Sequence, residues 1–578
     1  MEEKKDIKIE IKKYAIHIGL IVVTLFLLSF AMKYFEDSRN IYSFENWNYI
    51  IATMVIWGCE YLIVKGLTNN SKLSLGIVIG VEALYDIINY IVRIARGSSI
   101  AISDIFAFQT ALSVSKYITI KFDSNFVFGA LFIIAIIAIF MIFRNKIVEQ
   151  KDSYKIRISK VCIGIIIVLV LSKTKIYSGW SLWDLNNTYR CLGTPMTILR
   201  MIQDFRVKPP EGYNRDEVIK TLSSYDKKSN EYSEEKPNII VIVNESFCDY
   251  YNTYNHGNAN PIEYYSKLEK SDNVISGTMY SSEFGGRTSN VEYEFLTQNS
   301  MRILSKGSYV FQQYVPRKVK SSIVEHLRSI GYKTSAIHPW ENFAYSRNKV
   351  YPLLGFQSIK FKDDIEGLEK NFNNDFFTDE STYRELLKEI DEKKENEKLF
   401  EYVLTVQNHI GYLNTDPEQI DYSDDFHTNV YMQLAHDSSE ALKDLIEELK
   451  DKDEKYILLF FGDHQPNLDD SDNGMEREMV QYETSFLIWA NYEIETRHNI
   501  RTSTIYLQNY LLKAAGVELS AMNNYMEELQ KYYPIITKRF YEDNDGNVYR
   551  EENDTSSNYD KMKEYDRISY YRIFDKNQ

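Results

Sequence analysis

Residues 456–464 read YILLFFGDH: six aliphatic or aromatic residues, a glycine, and then Asp463 and His464. A continuous apolar run of this length indicates a β-strand that is buried on both faces, as in a parallel sheet covered by helices. In such sheets, ligands and catalytic groups collect at the carboxyl ends of the strands. The acidic residue and the histidine after this run therefore predict a functional site at the end of a central strand.

Four other segments have the same character, and helical patterns separate them. The strand candidates are NIIVIVNES (238–246), YKTSAIH (332–338), FEYVLTVQNH (400–409) and SFLIWANY (485–492), and the helical patterns are 319–332, 381–395 and 430–452. This alternation predicts an α/β domain with a largely parallel central sheet flanked by helices. Three of these runs end in Glu245, His338 and His409, so we expect their side chains near Asp463 and His464.

Glu245, Asp463 and His464 supply two carboxylates and one imidazole, a ligand set that suits Mn²⁺, Mg²⁺ or Zn²⁺. A divalent ion lowers the pKa of a coordinated hydroxyl, as it does for water. Thr288 follows the glycine pair in EFGGRTSNVEYEF (283–295), and beside such an ion it would attack as an alkoxide without a separate base. Ser289 is read as a bystander.

An alkoxide beside a metal ion suits an electrophile that positive charge stabilises, and a phosphodiester fits this description. Arg347 is expected to clamp the phosphate oxygens through charge-assisted hydrogen bonds. For His338 and His409 the sequence leaves two roles open: orienting the phosphate group, or protonating the leaving oxygen.

Most of the long apolar runs lie before residue 175. They are Ala15–Met32, Tyr49–Leu67, Leu73–Ile94, Asn125–Phe143 and the shorter Val161–Ser172. Because about 20 apolar residues cross a bilayer, we expect five membrane spans, the first an anchor and not a removable signal. Lys and Arg are concentrated in the segments that a cytoplasmic N-terminus would place inside, so the chain after Ser172 is predicted to be extracellular.

Four polar residues interrupt the third apolar run: Glu82, Asp86, Asn89 and Arg93. Their spacing of four, three and four places them on one helical face. Charged groups at membrane depth face a partner or a wet cavity. Two interpretations stay open, a structural pair that holds the helices together and a path for a lipid headgroup.

These observations predict four regions: a five-span transmembrane domain (1–175), a linker with an interfacial helix (176–236), an extracellular catalytic domain (237–535) and a polar C-terminal extension (536–578). The interfacial helix, within 194–205, is expected either on the membrane surface or against the outer domain. The net charge of −15 argues against a nucleic-acid partner. The four cysteines lie far apart and predict no disulfide framework, and the acidic stretch 469–474 is read as a solvated loop.

Five motifs resemble those of the lipoteichoic acid synthase family, phosphoglycerol transferases with a sulfatase or alkaline phosphatase fold. They are NIIVIVNESF (238–247), GGRTSNVEYEF (285–295), HPWENFAYSRNKVY (338–351), TVQNHIGY (405–412) and LLFFGDH (458–464). The resemblance implies that Glu245, Thr288, Asp463 and His464 bind a single Mn²⁺, and that Thr288 is also the nucleophile. It implies that His338, Arg347 and His409 contact the phosphoglycerol headgroup.

In that family, phosphatidylglycerol gives its glycerol phosphate to the threonine, diacylglycerol leaves, and the group passes to an acceptor hydroxyl. The resemblance thus implies a membrane-anchored phosphoglycerol transferase that acts on a cell-surface polymer or glycolipid. Two positions depart from the family pattern and bear on the acceptor: Tyr345 stands where a tryptophan is usual, and Trp340 where a carboxylate is expected.

Other functions are compatible with the same residues. A phosphoethanolamine transferase of the same fold would need only a different headgroup. A non-catalytic membrane receptor or assembly factor would need only the fold, although the intact Glu245, Thr288, Asp463 and His464 weigh against it. A sulfatase is disfavoured because the CxPxR or SxPxR stretch that yields formylglycine is missing around Thr288.

Overall fold

The computed structural model describes residues 2–36, 47–96, 99–114, 123–149, 151–173, 185–205, 207–226, 235–305, 307–315, 321–468, 477–550 and 557–575. The acidic stretch 469–474 and most of the polar linker before residue 237 lie outside these residues. The chain forms two compact units. The first, the helical unit, comprises Met1–Ile102, Ile120–Val207 and Ser305–Gly307. The second, the sheet unit, comprises Ser103–Thr119, Lys208–Leu304 and Ser308–Gln578.

The helical unit is built from apolar helices. They are α1 (Glu2–Leu28), α2 (Ala31–Glu36), α3 (Trp47–Thr68), α4 (Ser71–Arg96), α6 (Ser124–Phe143), α7 (Tyr154–Leu171), α8 (Leu185–Leu192) and α9 (Thr194–Asp204). Among the described residues, three helical segments are long and apolar enough to cross a membrane: Ile50–Thr68, Ser71–Ala95 and Ser124–Lys146. These segments indicate a membrane protein. The apolar part of α1, Tyr14–Leu28, is shorter, so the expected five spans stay a prediction.

Helices α3 and α7 approach each other closely because glycines lie at their contact. A Cβ atom at Gly164 of α7 would lie 2.7 Å from Ile63 Cγ1 and 2.9 Å from the Cys59 carbonyl oxygen. A Cβ atom at Gly66 of α3 would lie 2.7 Å from the Arg157 carbonyl oxygen. Small residues at helix contacts are typical of membrane helices, whose backbones pack without a hydrophobic driving force.

Three of the four polar residues on one face of α4 are buried within the helical unit: Glu82, Asp86 and Asn89. Asp86 accepts a hydrogen bond from the Thr194 hydroxyl at 3.0 Å, and Asn89 accepts one from the Ile100 amide at 2.6 Å. The Arg93 guanidinium donates to the Phe35 carbonyl oxygen at 2.9 Å. These contacts join α4 to segments around it, which favours the structural interpretation of this polar face.

The sheet unit contains an eight-stranded sheet with the order β4-β3-β5-β1-β6-β7-β2-β8. Its strands are β1 (Asn238–Asn244), β2 (Val274–Tyr280), β3 (Tyr332–His338), β4 (Ser358–Phe361), β5 (Lys398–Leu404), β6 (Tyr456–Gly462), β7 (Glu483–Ala490) and β8 (Arg497–Ser503). The first five strands in that order are parallel, whereas β7 runs antiparallel to both β6 and β2. The expected largely parallel α/β sheet is confirmed.

The apolar runs in the sequence did not predict β2, β4 and β8. Strand β8 (RHNIRTS) lies at the edge of the sheet and is largely exposed, so it carries no buried apolar run. Strand β2 (VISGTMY) is interrupted by Gly277, where a Cβ atom would lie 2.0 Å from the Ile500 carbonyl oxygen of β8. The glycine that weakens the sequence pattern is therefore required by the close approach of β8.

Helices cover both faces of the sheet. Those of the sheet unit are α5 (Phe108–Val114), α10 (Arg215–Ser224), α11 (Tyr250–Tyr254), α12 (Glu263–Leu268), α13 (Thr288–Thr297), α14 (Val310–Gln313), α15 (Ile323–Ser329), α16 (Arg347–Leu354), α17 (Asp379–Asp391), α18 (Phe426–Lys450), α19 (Arg477–Val480), α20 (Leu507–Ala514), α21 (Ala521–Gln530) and α22 (Tyr559–Phe574). Consecutive residues of β6 show the two faces. Phe460 packs against Tyr265 of α12, and Phe461 packs against Phe295 of α13.

The described residues from Ile535 onward also pack within the sheet unit. They form a three-stranded sheet of β9 (Ile535–Ile536), β10 (Tyr541–Glu542) and β11 (Val548–Tyr549), followed by α22. Tyr565 and Ile568 of α22 are fully buried in a cluster with Tyr525 of α21. The Tyr565 hydroxyl donates to the Gln298 carbonyl oxygen, at the end of α13, at 2.8 Å.

Candidate functional site

The pairing of β1 with β6 brings the predicted ligands together. The two strands run parallel with Asn244 opposite Gly462, so Glu245 and Asp463 leave the sheet side by side. Gly462 is required at this point, because a Cβ atom there would lie 1.7 Å from the Phe247 carbonyl oxygen. The glycine of LLFFGDH therefore lets the chain after β1 pass close to the end of β6.

Four side chains converge at this end of the sheet. The His464 Nε2 atom lies 3.2 Å from Asp463 Oδ2 and 3.5 Å from Glu245 Oε1. The Thr288 Oγ1 atom lies 3.3 Å from Glu245 Oε2 and 3.5 Å from His464 Nε2. Ligand atoms about 2.1 Å from one ion at tetrahedral angles stand about 3.4 Å apart. The spacing of these four groups therefore fits a single divalent cation.

The hydrogen bonds around the cluster leave Asp463 Oδ2 and His464 Nε2 available to bind a ligand. Asp463 Oδ1 accepts the backbone amides of Ser246 and His464 at 2.8 and 2.9 Å. Asp463 Oδ2 is buried and accepts no hydrogen bond from the described residues. The His464 Nδ1 atom lies 3.0 Å from the Gln465 carbonyl oxygen, so a proton on Nδ1 leaves the Nε2 lone pair directed at the cluster.

The electrostatics of the cluster also fit a cation. Burial and the charge of Glu245 raise the pKa of Asp463 to about 6, although His464 opposes this. Burial lowers the pKa of His464, but the carboxylates of Asp463 and Glu245 outweigh burial and raise it. Two carboxylates held together in a buried pocket repel each other, and a divalent ion removes that repulsion.

Thr288 is the first residue of α13 and reaches the cluster from a strained loop. Gly285, Gly286 and Arg287 have positive φ angles of 64°, 140° and 68°. Glycine adopts such angles without strain, whereas Arg287 adopts one only at a cost. The loop places the Thr288 hydroxyl within the ligand cluster, at the positive end of a fully buried helix. Ser289 is also fully buried but contacts none of the predicted ligands by hydrogen bond.

Arg347 is held by a buried carboxylate that the sequence analysis did not single out. Its Nη2 and Nε atoms donate to Glu292 Oε1 at 2.6 and 3.0 Å. The Tyr351 hydroxyl donates to Glu292 Oε2 at 2.5 Å. Glu292 lies one helical turn after Thr288 on α13, so this ion pair joins the helix of the predicted nucleophile to the predicted phosphate clamp. The i to i+4 spacing from Thr288 was the one available signal in the sequence.

His338 is locked in one protonation state by its two partners. Its Nδ1 atom lies 3.1 Å from the Leu404 carbonyl oxygen, and its Nε2 atom lies 3.1 Å from Arg347 Nη1. Because the guanidinium only donates, Nε2 accepts and the ring proton is on Nδ1. Burial and the Arg347 charge hold the pKa of His338 well below its usual value. Of its two predicted roles, this geometry favours orientation over proton donation.

His409 has fewer constraints than His338. Among the described residues, it makes a single long hydrogen bond, from Nδ1 to the Ile410 carbonyl oxygen at 3.4 Å. Its ring packs against Phe376 with ring centres 4.7 Å apart, and Phe376 packs against Trp340 at 4.6 Å. Burial lowers the pKa of His409 to about 4. Trp340, which stands where the family pattern has a carboxylate, thus packs against Phe376 behind the His409 ring.

Tyr345 belongs to a layer of aromatic rings and guanidinium groups beside the cluster. Its ring stacks on Tyr309 with centres 5.8 Å apart, and the Arg347 guanidinium carbon lies 5.0 Å from the centre of the Tyr345 ring. Arg287 lies 5.3 Å from the centre of the Tyr309 ring. The Tyr345 amide donates to the Thr110 hydroxyl of α5 at 3.0 Å. Helix α5 therefore packs next to the predicted headgroup contacts.

A second buried ion pair supports the loop before Thr288. Lys538 Nζ lies 3.0 Å from Glu283 Oε1, and the Asn290 amide donates to the same carboxylate at 2.6 Å. Arg287 Nη1 lies 3.6 Å from Glu283 Oε2. The C-terminal part of the chain thus contributes a cation behind the candidate site. Glu283 and Lys538 are 255 residues apart, so local sequence patterns gave no signal for this contact.

The chain is similar to proteins of known family and fold. Residues 237–517 match the family model described as Sulfatase. The chain is 27% identical over 385 residues to a putative cyclic beta-1,2-glucan modification protein of Rhizobium meliloti, which covers 62% of this chain and 58% of that protein. It is 25% identical over 268 residues to the capsular polysaccharide biosynthesis protein RkpI of the same organism, which covers 44% of this chain. The chain thus spans 47–61% of the length of these and a further curated relative.

Two solved structures share the fold. The Streptococcus pyogenes phosphoglycerol transferase GacH, in complex with sn-glycerol-1-phosphate, matches with a TM-score of 0.53 and 19% identity over 64% of this chain and 95% of its own. The Neisseria meningitidis lipooligosaccharide phosphoethanolamine transferase EptA matches with a TM-score of 0.52 and 12% identity over 86% of this chain and 95% of its own. Residues 237–517 thus match the sulfatase family, and the two structures share the fold that the motif resemblance implies.

Proposed function

We propose that the protein is a membrane-anchored phosphoglycerol transferase. It moves glycerol phosphate from phosphatidylglycerol to a cell-surface glycopolymer or lipoteichoic acid acceptor through a covalent phospho-threonine at Thr288. The observation that carries the proposal is the position of the Thr288 hydroxyl, 3.3 Å from Glu245 and 3.5 Å from His464 at the first residue of a buried helix. In this proposal the chain crosses the membrane five times, with a cytoplasmic N-terminus and an extracellular sheet unit.

Glu245, Thr288, Asp463 and His464 would hold the divalent cation, which we propose to be Mn²⁺, with Mg²⁺ or Zn²⁺ as alternatives. Once bound, such an ion lowers the pKa of the threonine hydroxyl and stabilises negative charge that develops on phosphate oxygens. The assignment is supported by Asp463 Oδ2, which is buried and accepts no hydrogen bond in the described part of the chain.

The other residues bind and orient the donor. The first amides of α13 point at a phosphate next to Thr288, as helix N-termini do in many anion sites. Arg347 uses three N–H groups on Glu292 and His338 and keeps two for phosphate oxygens. Because Glu292 and His338 fix the guanidinium, little side-chain entropy is lost when phosphate binds. His338 is thus a positioning residue.

The first step forms a bond between Thr288 Oγ1 and phosphorus and breaks the bond from phosphorus to the diacylglycerol oxygen. That oxygen needs a proton, and His409 is the candidate donor because its ring is the less constrained of the two histidines. The approach of an anionic phosphate raises the pKa of a neighbouring histidine. In the second step the oxygen of an acceptor hydroxyl bonds to phosphorus and its proton passes to His409, while the bond from phosphorus to Thr288 Oγ1 breaks.

An apolar surface next to the site fits the acyl chains of a lipid donor. In the segment Ser103–Thr119, Ile105 is 76% exposed and Phe108 is 60% exposed. The same segment contacts the rest of the sheet unit through the Tyr345 amide, which donates to Thr110, and through the Phe106 carbonyl oxygen, which accepts from Gln312 at 2.6 Å. Because α4 and α6 flank it in sequence, we place this surface at the membrane, where it receives the diacylglycerol part of the donor.

The acceptor is proposed to be a surface glycan. The Rhizobium meliloti relative, a putative cyclic beta-1,2-glucan modification protein, supports this choice because its name concerns a glycan substrate. Tyr345 and Trp340 depart from the family pattern close to Arg347 and His409. We therefore propose that these two aromatic side chains adapt the site to its own acceptor.

The test is lipid-fed turnover by the detergent-solubilised full chain with Mn²⁺. We expect diacylglycerol from phosphatidylglycerol with wild type and with Ser289→Ala, which removes the neighbouring hydroxyl, and none with Thr288→Ala. Diacylglycerol from phosphatidylethanolamine alone would instead identify a phosphoethanolamine transferase. Equal turnover by wild type and Thr288→Ala would contradict a transferase that uses this threonine.

A further inference from the structure

The helical unit contains a cavity between α4 and α6 that the proposed transfer reaction does not use. Its volume is about 510 Å³. It is lined mainly by Lys72, Leu73, Gly76, Ile77, Phe140 and Arg144. The first four residues lie in the first two turns of α4, and the last two lie at the end of α6 and just after it. The cavity is therefore at the ends of two helices that are apolar enough to cross a membrane.

The cations of this cavity are not neutralised by protein carboxylates. Among the described residues, neither Lys72 nor Arg144 forms an ion pair, and the Arg144 guanidinium contacts only the Met141 sulfur at 3.8 Å. Glu149 is nearby, but its carboxylate oxygens accept the backbone amides of Ser71 and Lys72 at 3.0 and 2.9 Å. The start of α4 is thus already capped, and the two side-chain charges are left for an external anion.

The walls of the cavity are apolar. Leu73, Ile77 and Phe140 line it together with the two cations. A Cβ atom at Gly76 would be in van der Waals contact with the Phe140 ring at 3.5 Å, so a larger side chain at this position would extend into the space beside that ring. A ligand that fills this site must therefore combine an anionic group with a hydrocarbon chain.

We propose that this cavity binds one anionic phospholipid, with its phosphate between Lys72 and Arg144 and the start of an acyl chain against Phe140. Basic pockets between membrane helices at the bilayer surface are suited to anionic headgroups. With the orientation given under the proposed function, the site opens to the cytoplasmic leaflet, on the opposite side of the membrane from Thr288. It is then a lipid-binding site separate from the donor site.

Native mass spectrometry of the detergent-solubilised full chain tests this assignment. The probe is phosphatidylserine, which is not the proposed donor, with phosphatidylcholine as the neutral comparison. We expect wild type to retain one phosphatidylserine molecule in preference to phosphatidylcholine. In Lys72→Gln/Arg144→Gln the affinity for that molecule should fall roughly 30-fold, as expected when two basic contacts to an anionic headgroup are lost.

Two further variants make the outcome specific. Lys151→Gln/Lys155→Gln removes the same charge elsewhere in the helical unit and should change the affinity less than threefold. Gly76→Leu keeps both cations but fills the cavity, and it should abolish the preference for phosphatidylserine. Unchanged binding in Lys72→Gln/Arg144→Gln, or an equal loss in the Lys151/Lys155 variant, would overturn the proposal. If Lys72→Gln/Arg144→Gln does not fold, normal phosphatidylserine binding by Gly76→Leu would overturn it.

Discussion

The Arg347–Glu292 ion pair allows a quantitative test of how the site is held. Arg347 is 3% exposed and Glu292 is fully buried. Replacing Glu292 with leucine keeps the volume similar but leaves the guanidinium charged and buried without its carboxylate. Removal of one partner from a buried ion pair costs about 3–5 kcal/mol. The Tyr351 hydroxyl, which donates to Glu292 at 2.5 Å, also loses its acceptor, so we expect a loss near the upper end of this range.

The double variant Glu292→Leu/Arg347→Met should be much more stable than the sum of the single losses predicts. Both charges are then absent, and apolar replacement of a buried pair is often nearly neutral in free energy. The unpaired Tyr351 hydroxyl and His338 Nε2 atom should limit the recovery, leaving a loss of about 1–3 kcal/mol. The single variant Arg347→Met completes the double-mutant cycle.

The free energy of unfolding of the sheet unit can be measured by pulse proteolysis in urea on the detergent-solubilised full chain. The prediction is a strongly non-additive cycle, with each single variant less stable than the double variant. If the double variant is as unstable as the sum of the singles, the pair is not what stabilises this part of the site. Transfer activity should be low in all three variants, because each one removes Arg347 or the carboxylate that orients it.

Other predictions concern single residues. Burial raises the pKa of Glu294 from 4.5 to about 8, so its contribution to stability is complete below about pH 4.5 and is lost as the pH rises through 8. This loss amounts to as much as about 5 kcal/mol. The free energy of unfolding of Glu294→Gln, measured by urea titration, should therefore rise relative to that of wild type between pH 5 and 8. An unchanged difference between the two proteins over this pH range would contradict the prediction. Asp463→Asn should weaken Mn²⁺ binding at least about 100-fold by calorimetry, and wild-type affinity should fall as the pH drops through about 6, where Asp463 takes up a proton. Ile105→Ser/Phe108→Ser should raise KM for long-chain phosphatidylglycerol but not for a short-chain, water-soluble donor; equal effects on both would argue against an acyl-chain surface.

The strand ends could be predicted because their signal is local. A buried strand requires an apolar run, and the residues just after the runs at Glu245, His338 and Asp463 share one edge of a parallel sheet by geometry alone. The Thr288 loop was identifiable from its glycine pair and from the motif as a whole. These patterns required no knowledge of distant contacts.

The supporting residues could not be predicted in the same way. Glu292 and Lys538 resemble ordinary surface charges in the sequence, and only their distant partners Arg347 and Glu283 show that they are buried. The segment Ser103–Thr119 lies between two apolar helices in sequence, yet it belongs to the sheet unit. Its exposed apolar residues Ile105, Phe108 and Leu112 have the i, i+3, i+7 spacing of an ordinary helical face, which does not indicate such a contact.

The hydropathy of the sequence predicts five spans, whereas three of the described helical segments are long and apolar enough to cross a membrane. The three segments found in the structure are long apolar helices with few charges. The predicted fifth span corresponds to α7, whose sequence YKIRISKVCIGIIIVLVL begins with three basic residues within seven positions. Basic side chains near the end of a membrane helix can extend along the helix to the interface. Topology mapping with accessible-cysteine labelling measures whether α7 spans the membrane.

The most direct test of the central claim is mass spectrometry of Thr288 after a brief incubation of the full chain with phosphatidylglycerol and Mn²⁺. The account predicts a glycerol phosphate adduct on the peptide that contains Thr288, present in Ser289→Ala, absent in Thr288→Ala and discharged when acceptor is added. A peptide that stays unmodified while diacylglycerol accumulates, or an adduct on another residue, would contradict it.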